Sequence, residues 1–188
     1  MDKKIKALMY TIKDYYNIDI SFDNAEKLLI DKDYLVLTSE ESDKYCIEYL
    51  ESLFNEDISY FNVNIEYYLN EDFFKSYYKE SYENYIEDIK YEDGRLEQEL
   101  KESNCNTEEE YLQYLLSNVK NYAEEYIFEF GKSELNNLIK YYPECIDKNK
   151  LFDDIILNDG KGNILSGYDG VEHEVEIEGD LYYVYRNN

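Results

Sequence analysis

Eight carboxylates, Glu80, Glu83, Glu87, Asp88, Glu92, Asp93, Glu97 and Glu99, follow one another at intervals of one to four residues. If this stretch is helical, residues four apart sit about 6 Å apart along the axis. That is close to the phosphate spacing along one nucleic-acid strand, and a duplex carries about one charge per 1.7 Å. The chemistry such a pattern offers is electrostatic: a surface that a basic channel built for DNA or RNA would accept. Tyr78, Tyr82 and Tyr85 recur through the same stretch at intervals of three and four. They read either as core packing along one helix stripe or as aromatics that contact a partner.

Covalent chemistry finds less to work with. His173 is the only histidine, which removes most zinc sites and every Ser/His or Cys/His arrangement that does not use it. It lies in the run Glu172–His173–Glu174, whose alternation reads as a solvated strand face. Cys46, Cys105 and Cys145 are odd in number and far apart, so they supply neither a disulfide framework nor a CxxC metal pair. The stretch Asp159–Gly170 is glycine-rich, but it lacks GK[ST] and does not lead from a strand into a helix, so it is not a phosphate loop. Placing Gly162 sixth in an EF-hand puts Leu157 first and Tyr168 twelfth, where calcium needs carboxylates. It reads as a turn-rich connector. The neighbouring pair Asp153 and Asp154 could hold a divalent metal, but no motif surrounds them. No cofactor, no metal site and no enzymatic activity are expected.

The chain has 188 residues, 44 acidic and 19 basic, with a formal net charge of −25. Residues 39–110 alone hold 22 acids and six bases. Such self-repulsion weakens a compact state, and a partner commonly compensates for it. The 24 tyrosines are what an AT-rich genome would encode, but the same bias would raise lysine, so the acid excess points to selection for negative charge. Hydrophobic residues make up 44% and aromatics 17%, too much for a disordered chain. No apolar run approaches the roughly 18 residues of a membrane helix, and the N-terminus lacks a signal-peptide core. The expectation is a cytoplasmic protein with no membrane contact.

The elements that must position these residues are legible from periodicity and caps. Ile5, Leu8, Met9, Ile12 and Tyr16 mark an amphipathic helix over 2–16. Ser21 or Asp23 caps a short helix, residues 33–38 read as a buried strand, and Thr38-x-x-Glu41 is a capping box for the next helix. Residues 72–89 form a helix with an aromatic stripe that breaks near Asp93-Gly94. Thr107-x-x-Glu110 opens a helix expected to reach about Phe130, with Gly131 as its stop. Ser133 starts a further helix ending before Pro143, and Asp147 caps the last. Val171–Glu178 and Leu181–Arg186, joined at Gly179-Asp180, alternate as a β-hairpin that can pair with the strand at 34–37. The fold class is α+β, mostly helical, with a small antiparallel sheet made of the C-terminal hairpin (171–186) and one N-terminal strand. The whole chain, 1–188, is expected to be one domain with an acidic helical centre over about 39–110.

Two segments carry a resemblance. Tyr34-Leu-Val-Leu-Thr-Ser-Glu-Glu41, and Asn158-Asp-Gly-Lys-Gly-Asn-Ile-Leu-Ser-Gly-Tyr-Asp-Gly170 running to Tyr183-Val-Tyr-Arg-Asn187, resemble a family of small acidic proteins of phages and mobile elements. Its members show YLVLTDEEAD near the front and DGRGHFLSxYDG followed by YIYR at the end. Lys161 stands where arginine is usual and Asn163 where histidine is usual. The resemblance implies a phage origin and a shared scaffold, and it leaves out the acidic middle.

Charge and resemblance together yield an expectation: a phage-encoded anti-defence inhibitor in the cytoplasm of the infected bacterial host. An anti-CRISPR protein that blocks the nucleic-acid-binding cleft of an RNA-guided nuclease by DNA mimicry fits best. An anti-restriction DNA mimic is close behind, and a protein-binding adaptor that does not mimic DNA is the alternative. The partner would be a protein, a host defence nuclease with a basic cleft, with no direct binding of nucleic acid.

Overall fold

In the computed structural model the described residues are 2–130 and 132–188; Met1 and Gly131, the expected helix stop, lie outside them, as do the side chains of residues 126, 128–130, 132 and 133. The elements run α1 (Lys3–Tyr16), α2 (Phe22–Ile30), β1 (Tyr34–Leu37) and α3 (Ser39–Glu56), then short 3₁₀ turns at Ile58–Tyr60 and Ile65–Tyr68. There follow α4 (Glu71–Lys90), α5 (Arg95–Glu102), α6 (Glu108–Ser117), α7 (Val119–Phe130) and α8 (Lys132–Tyr141). A 3₁₀ turn at Pro143–Cys145, α9 (Lys148–Leu165), β2 (His173–Ile177) and β3 (Asp180–Arg186) complete the chain. This is an α+β fold, mostly helical, with one small antiparallel sheet. The chain divides into two compact units, one formed by Met1–Glu56 with Leu151–Asn188 and the other by Asp57–Lys150.

The first unit gathers both ends of the chain around the sheet, whose strand order is β1-β3-β2 with both pairs antiparallel. Val36 faces Val184 in the β1–β3 register. On one side of the sheet Val36, Tyr182, Val184 and Ile177 pack against Ile5, Leu8 and Ile12 of α1 and Ala25 of α2. The opposite side carries Tyr185, whose hydroxyl lies 2.6 Å from the Ser42 hydroxyl of α3. Asp2, which the sequence places inside the first helix, caps it instead, accepting from the Lys4 N–H. Ser21 is a cap as predicted, accepting from the Asn24 N–H. Thr38 and Glu41 bond reciprocally, Thr38 N–H to the Glu41 carboxylate at 2.8 Å and Glu41 N–H to the Thr38 hydroxyl at 3.3 Å, as a capping box requires. The β2–β3 turn falls one residue earlier than expected, at Glu178-Gly179. Both have positive φ, 55° and 85°, which the tight right-twisting hairpin turn demands.

Three expectations need correction. The stretch 159–170 is not a loop throughout, because α9 continues to Leu165 across a kink at Gly160, whose φ of 75° and ψ of 153° are non-helical. The helix expected from 107 to about 130 is two helices. At the break, the Ser117 hydroxyl and the Asn118 amide both bond back to the Tyr114 carbonyl, at 2.7 and 2.8 Å, drawing it away from the helical ladder. His173 is not on a solvated face: it is 5% exposed. The alternation holds, with Glu174 and Glu176 outward, but His173 shares the inner face with Val175 and Ile177. Its ring lies beneath Tyr15, 4.2 Å between centroids.

The glycine-rich stretch is structural. A Cβ on Gly162 would lie 2.5 Å from the Gly170 carbonyl oxygen and 2.9 Å from the Glu172 nitrogen, so only glycine lets α9 and the strand entry approach this closely. Ser166 bonds the Asp169 carboxylate and the Arg186 carbonyl, both at 2.7 Å, and the Arg186 guanidinium lies 3.8 Å over the Tyr168 ring. Residues 162–172 thus pack against one another and against the end of β3, with Ser166, Asp169 and Arg186 bonded within the unit.

The second unit has its own core: Ile86 and Ile89 of α4 meet Tyr111, Leu112, Leu115 and Leu116 of α6. An antiparallel bridge, Leu69 with Ile146, joins the start of the unit to its end. Gly94, at φ 73°, turns the chain from α4 into α5 where the sequence predicts the break.

Candidate acidic interface

The second unit holds the eight carboxylates, and the structure sorts them. Glu80, Glu83 and Glu87 lie on one exposed face of α4, at axial intervals of about 4.5 and 6 Å. Asp88 is exposed on an adjoining face of α4. Glu92 and Asp93 occupy the α4–α5 turn, and Glu97 is exposed on α5. Glu99 turns inward: its carboxylate accepts the Tyr85 hydroxyl at 3.1 Å and the Tyr111 hydroxyl at 2.9 Å. Burial first, and that bond second, push the Tyr111 phenol well above its ordinary value. Glu99 therefore belongs to the packing of α4, α5 and α6.

Basic side chains partly offset the rest. Lys79 lies 3.8 Å from Glu83, and Arg95 pairs with Glu92 at 2.7 Å. Lys90 bridges Glu87 and Glu108 at 2.6 Å each, and those two bonds hold its ammonium above the ordinary lysine value. Glu80, Asp88, Asp93 and Glu97 have no basic partner among the described residues. Exposed pairs of this kind contribute little to stability, so they leave the carboxylates available to exchange one cation for another.

The sequence reading missed two members of this surface. Glu108 and Glu109, in the first turn of α6, border an open groove of about 410 Å³ together with Glu83 and Glu87 of α4. In the sequence they read only as acids suited to the positive end of a helix dipole. No local signal in the sequence pairs them with α4; they come together because Ile86 and Ile89 share one buried cluster with Leu112 and Leu116. The Thr107 cap is present, with its hydroxyl accepting the Glu110 N–H at 3.2 Å, but Glu110 reaches back to the Asn106 N–H at 2.6 Å instead of to Thr107.

The three tyrosines lie on the other side of α4 from Glu80, Glu83 and Glu87. Tyr82 and Tyr85 pack against the α4–α6 core, and Tyr78 stacks 6.0 Å from Tyr82 and 6.4 Å from Phe74. Tyr85 also carries the Arg95 guanidinium 5.7 Å above its ring.

The unit boundary redraws the charge map. Met1–Glu56 with Leu151–Asn188 holds 22 acids and nine bases, while Asp57–Lys150 holds 22 acids and ten bases. The excess seen along the sequence is therefore shared almost equally. What sets the α4–α6 face apart is the alignment of its carboxylates.

A further polar cluster lies in the first unit. Buried Tyr185 donates its hydroxyl to Glu172 and contacts Ser42, while Lys161 pairs with Asp43 beside Cys46. Burial pushes the Cys46 thiol up to about 11, against the pull of Lys161, so it stays protonated and unreactive at neutral pH. Cys145 is likewise pushed by burial up to about 12. Neither thiol is poised as a nucleophile. Among the described residues, no helix is long and apolar enough to cross a membrane. Compared with protein-family models, curated proteins and solved structures, the chain has no match in any of the three.

Proposed function

We propose that this protein is a non-enzymatic, stoichiometric inhibitor that lays the acidic α4–α6 face into the nucleic-acid-binding cleft of a host defence nuclease. The observation that carries this reading is the row Glu80, Glu83, Glu87 on one exposed helix face, doubled across a groove by Glu108 and Glu109. A basic cleft built for phosphates gains its affinity from Lys and Arg contacts, and carboxylates at this spacing replace phosphates as partners. An anti-CRISPR protein acting on an RNA-guided nuclease fits best, with an anti-restriction DNA mimic next. The resemblance of the chain's ends to phage and mobile-element proteins supports an action in the cytoplasm of the infected bacterial host.

The test mixes the protein, at low salt, with extract from a bacterium that carries CRISPR or restriction systems. Capture of a nuclease that duplex DNA displaces, together with protection of phage in that host, supports the reading; absence of both ends it. Changing Glu80, Glu83 and Glu87 to Gln separates mimicry from an adaptor that binds through other surfaces, since only mimicry loses binding in steps.

A further inference from the structure

A second groove in the same unit, of about 330 Å³, opens among α4, α7 and α8. Its walls include Phe74, Tyr77, Tyr78, Tyr141 and Tyr142, and Glu134 is also among the lining residues. Leu135, Leu138 and Ile127 supply apolar surface beneath. Tyr141 is 72% exposed and Tyr77 45%, so two aromatic rings stand at the mouth with much of their surface in water. Tyr77 and Tyr142 meet edge to face, 5.3 Å between centroids, which keeps ring surfaces turned in different directions. Among the described residues, no lysine or arginine lines the groove. Lys75, on the same helix as Tyr77, is held by Glu71 at 2.5 Å.

The composition narrows the occupant. Aromatic faces attract cations, arginine above all because its planar guanidinium stacks on a ring. Glu134, an exposed residue of the lining, adds a negative charge that favours a cationic guest over a purely apolar one. A nucleic-acid base is disfavoured, because platforms that stack bases sit in cationic grooves, whereas this unit has 22 acids to ten bases. The volume lies at the low end for ligand pockets and admits a side chain or two, not a helix.

We propose that this groove receives an arginine and an adjoining aliphatic residue from an extended basic segment of a protein partner. The guanidinium lies against Tyr77, Tyr141 and Tyr142 and pairs with Glu134, while the aliphatic neighbour covers Leu135 and Leu138. This deepens the proposed function and rests on it, in that the arginine belongs to the basic protein whose cleft the acidic face enters. The groove then supplies a fixed anchor that salt weakens less than it weakens the carboxylate face.

The test titrates the full chain, at physiological ionic strength, with a short acetylated peptide of alternating leucine and arginine, and follows backbone amide shifts. Saturable binding that perturbs α8 and the first half of α4 is expected. Citrulline in place of arginine, and serine in place of leucine, should each weaken it about tenfold. Tyr77→Ala and Tyr141→Ala should weaken it roughly three- to tenfold, the range of an aromatic–cation contact. Tyr141→Phe, which keeps the ring, should bind as the parent does. Both tyrosines are exposed, and circular dichroism verifies that the alanine variants fold. Equal affinity for the citrulline peptide, or no effect of either alanine change, overturns the proposal. If Glu80, Glu83 and Glu87 changed to Gln lose nuclease capture while the tyrosine variants keep both capture and peptide affinity, this inference fails and the proposed function stands. If the peptide binds as described but no nuclease is captured, the groove stands and the proposed function fails.

Discussion

The Tyr111 hydroxyl donates to the Glu99 carboxylate at 2.9 Å, so one of the eight candidate carboxylates helps hold the second unit together instead of facing a partner. Tyr111 is 3% exposed, and the Tyr85 hydroxyl reaches the same carboxylate. Glu99→Ala strands both phenols and should cost about 1–3 kcal/mol. Tyr111→Phe should cost about 1 kcal/mol. Urea unfolding reads both. Unchanged midpoints would return Glu99 to the exposed surface.

Alkaline pH acts through the buried phenols. The Tyr111 and Tyr185 phenols are both pushed up, chiefly by burial and then by a neighbouring carboxylate, Glu99 or Glu172. Their folded values exceed the unfolded value of about 10, so the native state holds these protons longer than the unfolded chain does. Their contribution to stability is complete below about pH 10 and falls as the pH rises beyond it. Stability measured by denaturant across that window should decline, and Tyr185→Phe should flatten the decline. A stability that rises with pH there would reverse the assignment.

Two glycines should respond to substitution for different reasons. Gly94 has a φ of 73° and nothing within 4 Å of a built Cβ, so Gly94→Ala should cost about 1–2 kcal/mol and Gly94→Asn less, because asparagine tolerates that conformation. Gly162 fails on contact with backbone atoms of Gly170 and Glu172. Gly162→Ala should cost about 1–3 kcal/mol, and Gly162→Asn should be no milder. Thermal unfolding of the four variants separates the two mechanisms.

Salt should act in opposite directions on folding and on binding. With a net charge of −25, screening relieves self-repulsion, so the melting temperature should climb between about 0.01 and 0.15 M salt, as the Debye length falls from about 30 to 8 Å. Partner binding through the acidic face should weaken over the same range. A melting temperature that falls with salt would mean that attractive ion pairs outweigh the repulsion.

Local signals made most of the fold legible. Ser21, Thr38, Thr107 and Asp147 all cap the helices that the sequence assigns to them. What the sequence hid was tertiary. The direction of His173 depends on Tyr15 and Tyr16 lying above that end of β2. The continuation of α9 depends on Gly160 accepting a single non-helical residue. For the candidate site, the row Glu80, Glu83, Glu87 was readable from helical spacing. The inward turn of Glu99 and the approach of Glu108 and Glu109 were not, because both follow from how α4 packs on α6.

If the carboxylates of α4 and α6 take the place of phosphates in a basic cleft, the salt dependence of binding to the captured nuclease should differ between the parent and a variant with Glu80, Glu83, Glu87 and Glu108 changed together to Gln. The variant should bind at least about tenfold more weakly, with a shallower slope of log affinity against log salt, and duplex DNA should compete with the parent. Equal affinity and equal slope for the two proteins, or binding that DNA does not displace, would contradict this mimicry.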